Sequence, residues 1–170
     1  CREAMGIIGN RFETGESFIP ELILAGEILS QISALVKPRL QQQGEAKQIG
    51  KVVLGTVEGD IHDIAKDIVG FMLDVNGFEV IDLGVDVSPA KFVEAVQRTG
   101  AKIVGLSGFL TLAYDPMKKT VAALKAAGLT DVKVMIGGGQ VDEQIRQYTG
   151  ADAYGKDAMA AVTLARQWAV

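Results

Sequence analysis

Residues 51–73, KVVLGTVEGDIHDIAKDIVGFML, pass from one periodicity to another across a single short loop. Val52, Val53 and Leu54 form a continuous apolar run, as a strand buried on both faces requires. Beyond the loop Ile64, Ile68, Phe71 and Met72 recur at helical spacing. Between the two runs lies the only histidine of the chain, His62, two residues after Asp60. Strand, loop and amphipathic helix in this order make the first half of a βαβ unit.

The alternation repeats to the end of the chain. Further strands are expected at FEVIDLG, KIVGLSG, VKVMIGG and ADAYG, and helices at about 63–76, 89–99, 115–127, 141–148 and 156–168. Gly77, Gly100, Gly128 and Gly150 each fall just past a helix, where a left-handed residue is wanted. Ser88-Pro89 and Asp115-Pro116 each combine a capping residue with a proline for the first helical position. Five strands alternating with five helices predict an α/β fold, a doubly wound parallel sheet of flavodoxin-like order 2-1-3-4-5 with right-handed crossovers. In that order the topology reverses between strands 1 and 3, and ligands bind beyond their carboxyl ends. His62 follows strand 1 and Ser107 ends strand 3, so the two loops are expected to converge.

Residues 1–40 read instead as a helical cap. Met5, Ile8 and Phe12 share one face of a first helix that Gly15 ends. A second helix starts at a Ser17 cap with Pro20 in its first turn, carries Ile23, Ile28, Leu29, Ile32, Leu35 and Val36 as a stripe, and stops near Pro38. Residues 41–50, QQQGEAKQIG, read as a polar linker, and 51–170 as the α/β domain. The opening CREAM has no initiator methionine and reads as mid-helix, so the cap is expected to lack its beginning.

The composition sets limits on partners. With 48% hydrophobic and 22% charged residues the chain has ample material for a core. A net charge of −4 and the absence of a lysine or arginine run argue against nucleic acid. No run approaches the roughly 18 apolar residues of a membrane span. No signal peptide is visible, and Cys1 alone gives no disulfide framework, so a cytoplasmic location is the expectation.

Several chemistries fail on the residues. IGGGQ, residues 136–140, is glycine-rich but lacks a lysine and follows strand 4, where neither phosphate-binding fingerprint belongs. Ser107 in GLSGF departs from the nucleophile-elbow pattern at Phe109. One histidine and one terminal cysteine cannot supply a structural zinc site. The acidic cluster and lysine of a phosphoacceptor are also missing. What remains is an imidazole presented as a ligand, with Asp60 to fix its tautomer, opposite loops kept small by Gly105, Ser107, Gly108, Gly137, Gly138 and Gly139.

At these residues the sequence resembles the cobalamin-binding domain of corrinoid proteins and of methionine synthase. That family carries Asp-x-His-x-x-Gly after strand 1, Ser-x-Leu after strand 3 and Gly-Gly after strand 4. Here the blocks are Asp60-Ile61-His62-Asp63-Ile64-Ala65, Ser107-Gly108-Phe109 and Gly137-Gly138. Along GTVEGDIHDIAKDIV, and in the helical RFETGESFIPELILAGE before it, the chain is similar to the small corrinoid proteins of methyltransferase systems.

The resemblance implies cobalamin bound base-off and His-on, with His62 as the lower axial ligand of cobalt and Asp60 holding that imidazole and helping to move a proton. Asp63, Ile64 and Ala65 would border the cofactor. Ser107, Phe109 and Thr111 would meet the displaced base and tail, along the Gly137-Gly138-Gly139 loop, with Tyr154, Gly155 and the first turn of the last helix as further walls. Ala65 in place of glycine and Phe109 in place of leucine depart from the family pattern.

The implied role is a corrinoid methyl carrier, not catalytic alone, cycling between Co(I) and methyl-Co(III). Its implied partners are a substrate-specific methyltransferase, an acceptor methyltransferase directed to tetrahydrofolate or a thiol, and a reductive activase. Met5, Ile8, Phe12, Phe18 and Leu22 would cover the upper face of the corrin. A cobalamin-dependent sensor or regulator, and the cobalamin-binding subunit of an isomerase, are the alternative roles of such a domain.

Overall fold

In a computed structural model of the chain, the structure describes residues 48–169 and, before them, residues 7, 11, 14–16, 18, 20, 21, 24, 27, 28 and 31. Gly15 adopts φ 76°, as a residue ending a helix does. The expectations for Met5, Ile8, Phe12, Ser17 and Leu22, and for the linker as far as residue 47, lie outside the described residues.

The ordered alternation comprises β1 (Gly50–Thr56), α1 (Ile64–Val75), β2 (Phe78–Asp82), α2 (Pro89–Thr99), β3 (Ile103–Gly108), a 3-10 turn (Thr111–Ala113), α3 (Tyr114–Ala126), β4 (Lys133–Gly138), α4 (Glu143–Thr149), β5 (Ala153–Tyr154) and α5 (Ala158–Trp168). All pairings are parallel and the order is β2-β1-β3-β4-β5, as the sequence predicts. The central strands β1 and β3 are buried along nearly their whole length, which accounts for their unbroken apolar runs.

Helix ends follow the punctuation in most places. Gly100 and Gly150 take φ 68° and 73° as C-caps, and Pro89 opens α2 after Ser88. Two starts lie two residues later than the periodicity places them, because Asp142 and Asp157 stand outside their helices as N-caps. Their carboxylates accept from the N–H groups of Ile145 and Ala160. One expectation fails: Asp115 caps nothing. The 3-10 turn runs straight into α3, which begins at Tyr114, and Asp115 lies in its first turn, accepting from the Tyr148 hydroxyl.

The two faces of the sheet carry separate cores. On one, α2, α3 and α4 pack over Val53, Val104, Leu106, Val134 and Ile136, with Phe92, Met117 and Leu124 fully enclosed. Phe92 fills the space that Gly55 leaves; a Cβ there would stand 2.9 Å from its ring. On the other face, α1 and α5 pack over Val52, Ile103 and Met135, chiefly through Met72, Leu73, Ala161, Val162 and Ala165. This second core fills only the lower part of its face.

Candidate functional site

The β1–α1 loop is built around the Asp60 carboxylate, which is 1% exposed. Its Oδ1 accepts from the backbone N–H of His62 at 3.0 Å and lies 2.6 Å from the ring Nδ1. Its Oδ2 accepts from the N–H groups of Phe109 at 2.7 Å and Leu110 at 3.1 Å. Burial by itself would raise the pKa of this group. The bonds from His62, Leu110 and Phe109 outweigh burial and lower the pKa from 3.8 to about 2. An ionised carboxylate only accepts, so Nδ1 must carry a proton, and in the neutral ring Nε2 then holds the free lone pair. Among the described residues no protein group bonds Nε2. The loop itself is tied down where Thr56 Oγ1 donates to the His62 carbonyl and where the Gly59 N–H reaches Asp86.

Beside His62 a cleft of about 550 Å³ opens between α1 and α5, at the carboxyl ends of β1, β3 and β4. Strand alternation makes it. Leu54, Gly105, Ser107, Met135 and Gly137 take the positions that face α1 and α5. The register sets Gly105 beside Leu54 and Met135, and Ser107 beside Gly137. Side chains therefore end where the glycines begin. From above, α5 contributes only Ala158 and Ala161. A Cβ on Gly137 would meet a single neighbour, the Gly155 carbonyl at 3.4 Å, and otherwise project into the cleft. The rim is apolar: Ile61 and Ile64 are 74% and 64% exposed. Such a cluster around a concave slot marks a binding site.

The B12 binding domain family matches residues 50–163, two thirds of the chain, and a second family of the same description matches residues 1–37. The chain belongs to the B12-binding family. Corrinoid protein DSY3155 of Desulfitobacterium hafniense is 38% identical over 164 residues, covering 95% of this chain and 76% of that protein. Trimethylamine corrinoid protein 1 of Methanosarcina acetivorans is 38% identical over 94% of this chain and 74% of its own length. Among solved structures, a cobalamin-binding protein from Desulfitobacterium hafniense DCB-2 has TM-score 0.83 at 46% identity, covering 98% of this chain and 78% of that one. The methanol:cobalamin methyltransferase complex MtaBC from Methanosarcina barkeri has TM-score 0.84 at 26% identity, over 99% and 64%. Response-regulator receiver domains, such as that of NarL from Mycobacterium tuberculosis at TM-score 0.54 and 15% identity, share the fold alone.

The residues present fit the cofactor of a B12-binding domain. Among the described residues no three histidine, cysteine or acidic side chains gather to hold a bare metal ion. A corrinoid brings its own nitrogen donors to cobalt, so such a cluster would not be needed to hold it. The cleft beside His62, with Gly105 and Gly137 on its sheet side and Ala158 and Ala161 opposite, has room for part of a bulky cofactor.

Of the residues singled out from sequence, His62, Asp63, Ile64, Ala65, Ser107, Phe109, Gly137 and Gly138 line the cleft, and Asp60 stands behind His62. Gly139, Thr111 and Tyr154 do not line it. A Cβ on Gly139 would lie 2.3 Å from the Phe109 carbonyl, and one on Gly138 would lie 2.3 Å from that of Gly108. Close approach of the β3 and β4 loops is thus what these two glycines permit. Thr111 is exposed at the start of the 3-10 turn. Tyr154 pairs with Ile136 and packs with it toward α2, α3 and α4.

Sequence reasoning missed Lys66, which also lines the cleft and is 3% exposed. Its ammonium donates to Asp67 at 2.6 Å and to Asp82 at 2.5 Å, joining the first turn of α1 to the end of β2. Burial would lower its pKa, but those two carboxylates hold it above the ordinary lysine value.

Proposed function

We propose that this chain is the methyl-carrying corrinoid protein of a methyltransferase system, with His62 as the lower axial ligand. When bound, the corrinoid supplies a cobalt centre that takes up a methyl group from a donor and yields it to an acceptor. The protein supplies ligation and orientation. His62 Nε2 would hold the corrinoid's cobalt, and the slot over Gly105, Ser107 and Gly137 would receive the cofactor's own base. Asp60 fixes the tautomer and stabilises the Nδ1 proton as the electron demand on the imidazole changes. The observation that carries this reading is the Asp60–His62 pair, with Nε2 unbonded beside an apolar slot.

The transfer steps belong to partners: one methyltransferase that loads the carrier, one that unloads it, and an activase that restores the reduced state. Relatives named as trimethylamine and dimethylamine corrinoid proteins support a methylated amine as the methyl source. Residues 1–40 act as a cap on the cofactor in this reading, joined by a linker to the domain from residue 51 onward.

The test is reconstitution of wild type and His62→Ala with hydroxocobalamin, followed by absorption spectra and by electron spin resonance of the Co(II) form with nitrogen-15 histidine. Stoichiometric binding with hyperfine coupling from one imidazole nitrogen in wild type, lost in His62→Ala, is expected. Identical spectra for the two proteins would rule out His62 as the ligand.

A further inference from the structure

A second contact acts on the same imidazole. The Phe109 ring lies with its centroid 4.7 Å from that of His62, the planes tilted by 35°. Phe109 is 57% exposed, so the hydrophobic core does not hold it there. Its backbone is held instead by Asp60, whose Oδ2 accepts the Phe109 N–H while Oδ1 takes the His62 ring. One carboxylate thus sets both members of the pair. Asp60 restrains the imidazole at its Nδ1 edge, and the phenyl group restrains it from one face. Offset or tilted aromatic pairs at this separation are favourable beyond the area they bury.

We propose that Phe109 is a positioning residue for the axial imidazole, its ring holding His62 in one orientation before any corrinoid arrives. Restraint applied in advance reduces the ordering cost at binding. The benefit goes to every corrinoid that binds through cobalt, whether or not it carries a nucleotide tail. The inference rests on the proposal that His62 is the axial ligand, but its first consequence is visible in the cofactor-free protein.

Because the chain has one histidine, its ring carbon–proton signals are assigned without ambiguity. In the cofactor-free protein these signals should be displaced by the Phe109 ring current, relax to ordinary positions in Phe109→Leu, and return in Phe109→Tyr. Titration with cobinamide, which lacks the tail, and with cobalamin then locates the effect. Phe109→Leu should weaken both by the same factor, about threefold to tenfold, and Phe109→Tyr should restore both.

Unmoved histidine signals in Phe109→Leu would overturn the proposal. So would a loss confined to cobalamin, which would mean that the ring touches the tail and not the imidazole. Displaced signals together with no imidazole coupling in wild-type Co(II) protein would refute the ligand reading while leaving the ring contact standing. Thermal unfolding of each variant, expected to match wild type at so exposed a position, separates these outcomes from misfolding.

Discussion

The two faces of the sheet are built from the same strands and differ by one residue in phase. Toward α2, α3 and α4 the strands β3 and β4 present Val104, Leu106, Val134 and Ile136, all buried, and Phe92 closes over Gly55. Toward α1 and α5 the same strands present Gly105, Ser107, Met135 and Gly137, and beyond the core on that face a cleft of about 550 Å³ opens. The comparison teaches that the site is made by withholding side chains on one face while the other holds the sheet together. Stability and binding are thereby assigned to residues adjacent in sequence that point in opposite directions.

That division can be broken from either side. The largest effect is expected from the closed face: Phe92→Ala should cost about 3–5 kcal/mol in urea unfolding, as truncation of an enclosed aromatic does. A loss below about 1 kcal/mol would mean that this face is not the main source of stability. On the open face, Gly137→Leu puts a side chain into the cleft at a position whose backbone tolerates one. Cobalamin affinity should fall more than about 100-fold, equivalent to roughly 2.7 kcal/mol, with stability changed by less than about 1 kcal/mol. Equal losses of folding and binding would show the two faces to be coupled.

Asp60→Asn tests the hinge between the faces and the ligand loop. The folded-state pKa of about 2 lies below the ordinary 3.8, so the carboxylate stabilises the fold above about pH 4, and that contribution disappears as pH falls through about 2. The shift corresponds to about 2 kcal/mol. Unfolding of the cofactor-free protein between pH 2 and 7 should show this acid-dependent part in wild type and not in Asp60→Asn. Parallel curves would mean that the bonds to His62, Phe109 and Leu110 contribute little. The smallest effect is expected at Thr111→Ala, outside the cleft, where cobalamin affinity should change by under about twofold. A larger change in the same titration would mean that the tail extends beyond the slot.

Much of this was legible in the sequence, for identifiable reasons. Strand order, helix count and the convergence of His62 with Ser107 follow from apolar period and glycine punctuation, which are local signals. The errors came where one residue had two readings. Periodicity draws Asp142 and Asp157 into helices that they cap from outside, and Asp115-Pro116 reads as a cap although the chain is already helical before it. Thr111, Gly139 and Tyr154 lie near the right loops, but a 3-10 turn, a close backbone approach and strand alternation set them outside the cleft. The cleft itself was only partly readable, since its floor and roof come from β1, β3, β4 and α5 and are defined by inter-strand register, which no local pattern encodes. Lys66 carries no sequence signal of its own, because a lysine on a helix is ordinarily solvated and only the fold brings Asp82 to it.

The Asp60 carboxylate takes two of its hydrogen bonds from residues 49 and 50 positions further along the chain. A peptide spanning residues 55–73 would contain both Asp60 and His62 and still lack the donors that orient them. The ligand geometry is therefore a product of tertiary assembly, formed only once β3 has docked beside β1. Competence to hold the cofactor should arise late in folding and be lost early in unfolding. The backbone amides of Phe109 and Leu110 are the natural reporters of that moment in a hydrogen-exchange time course.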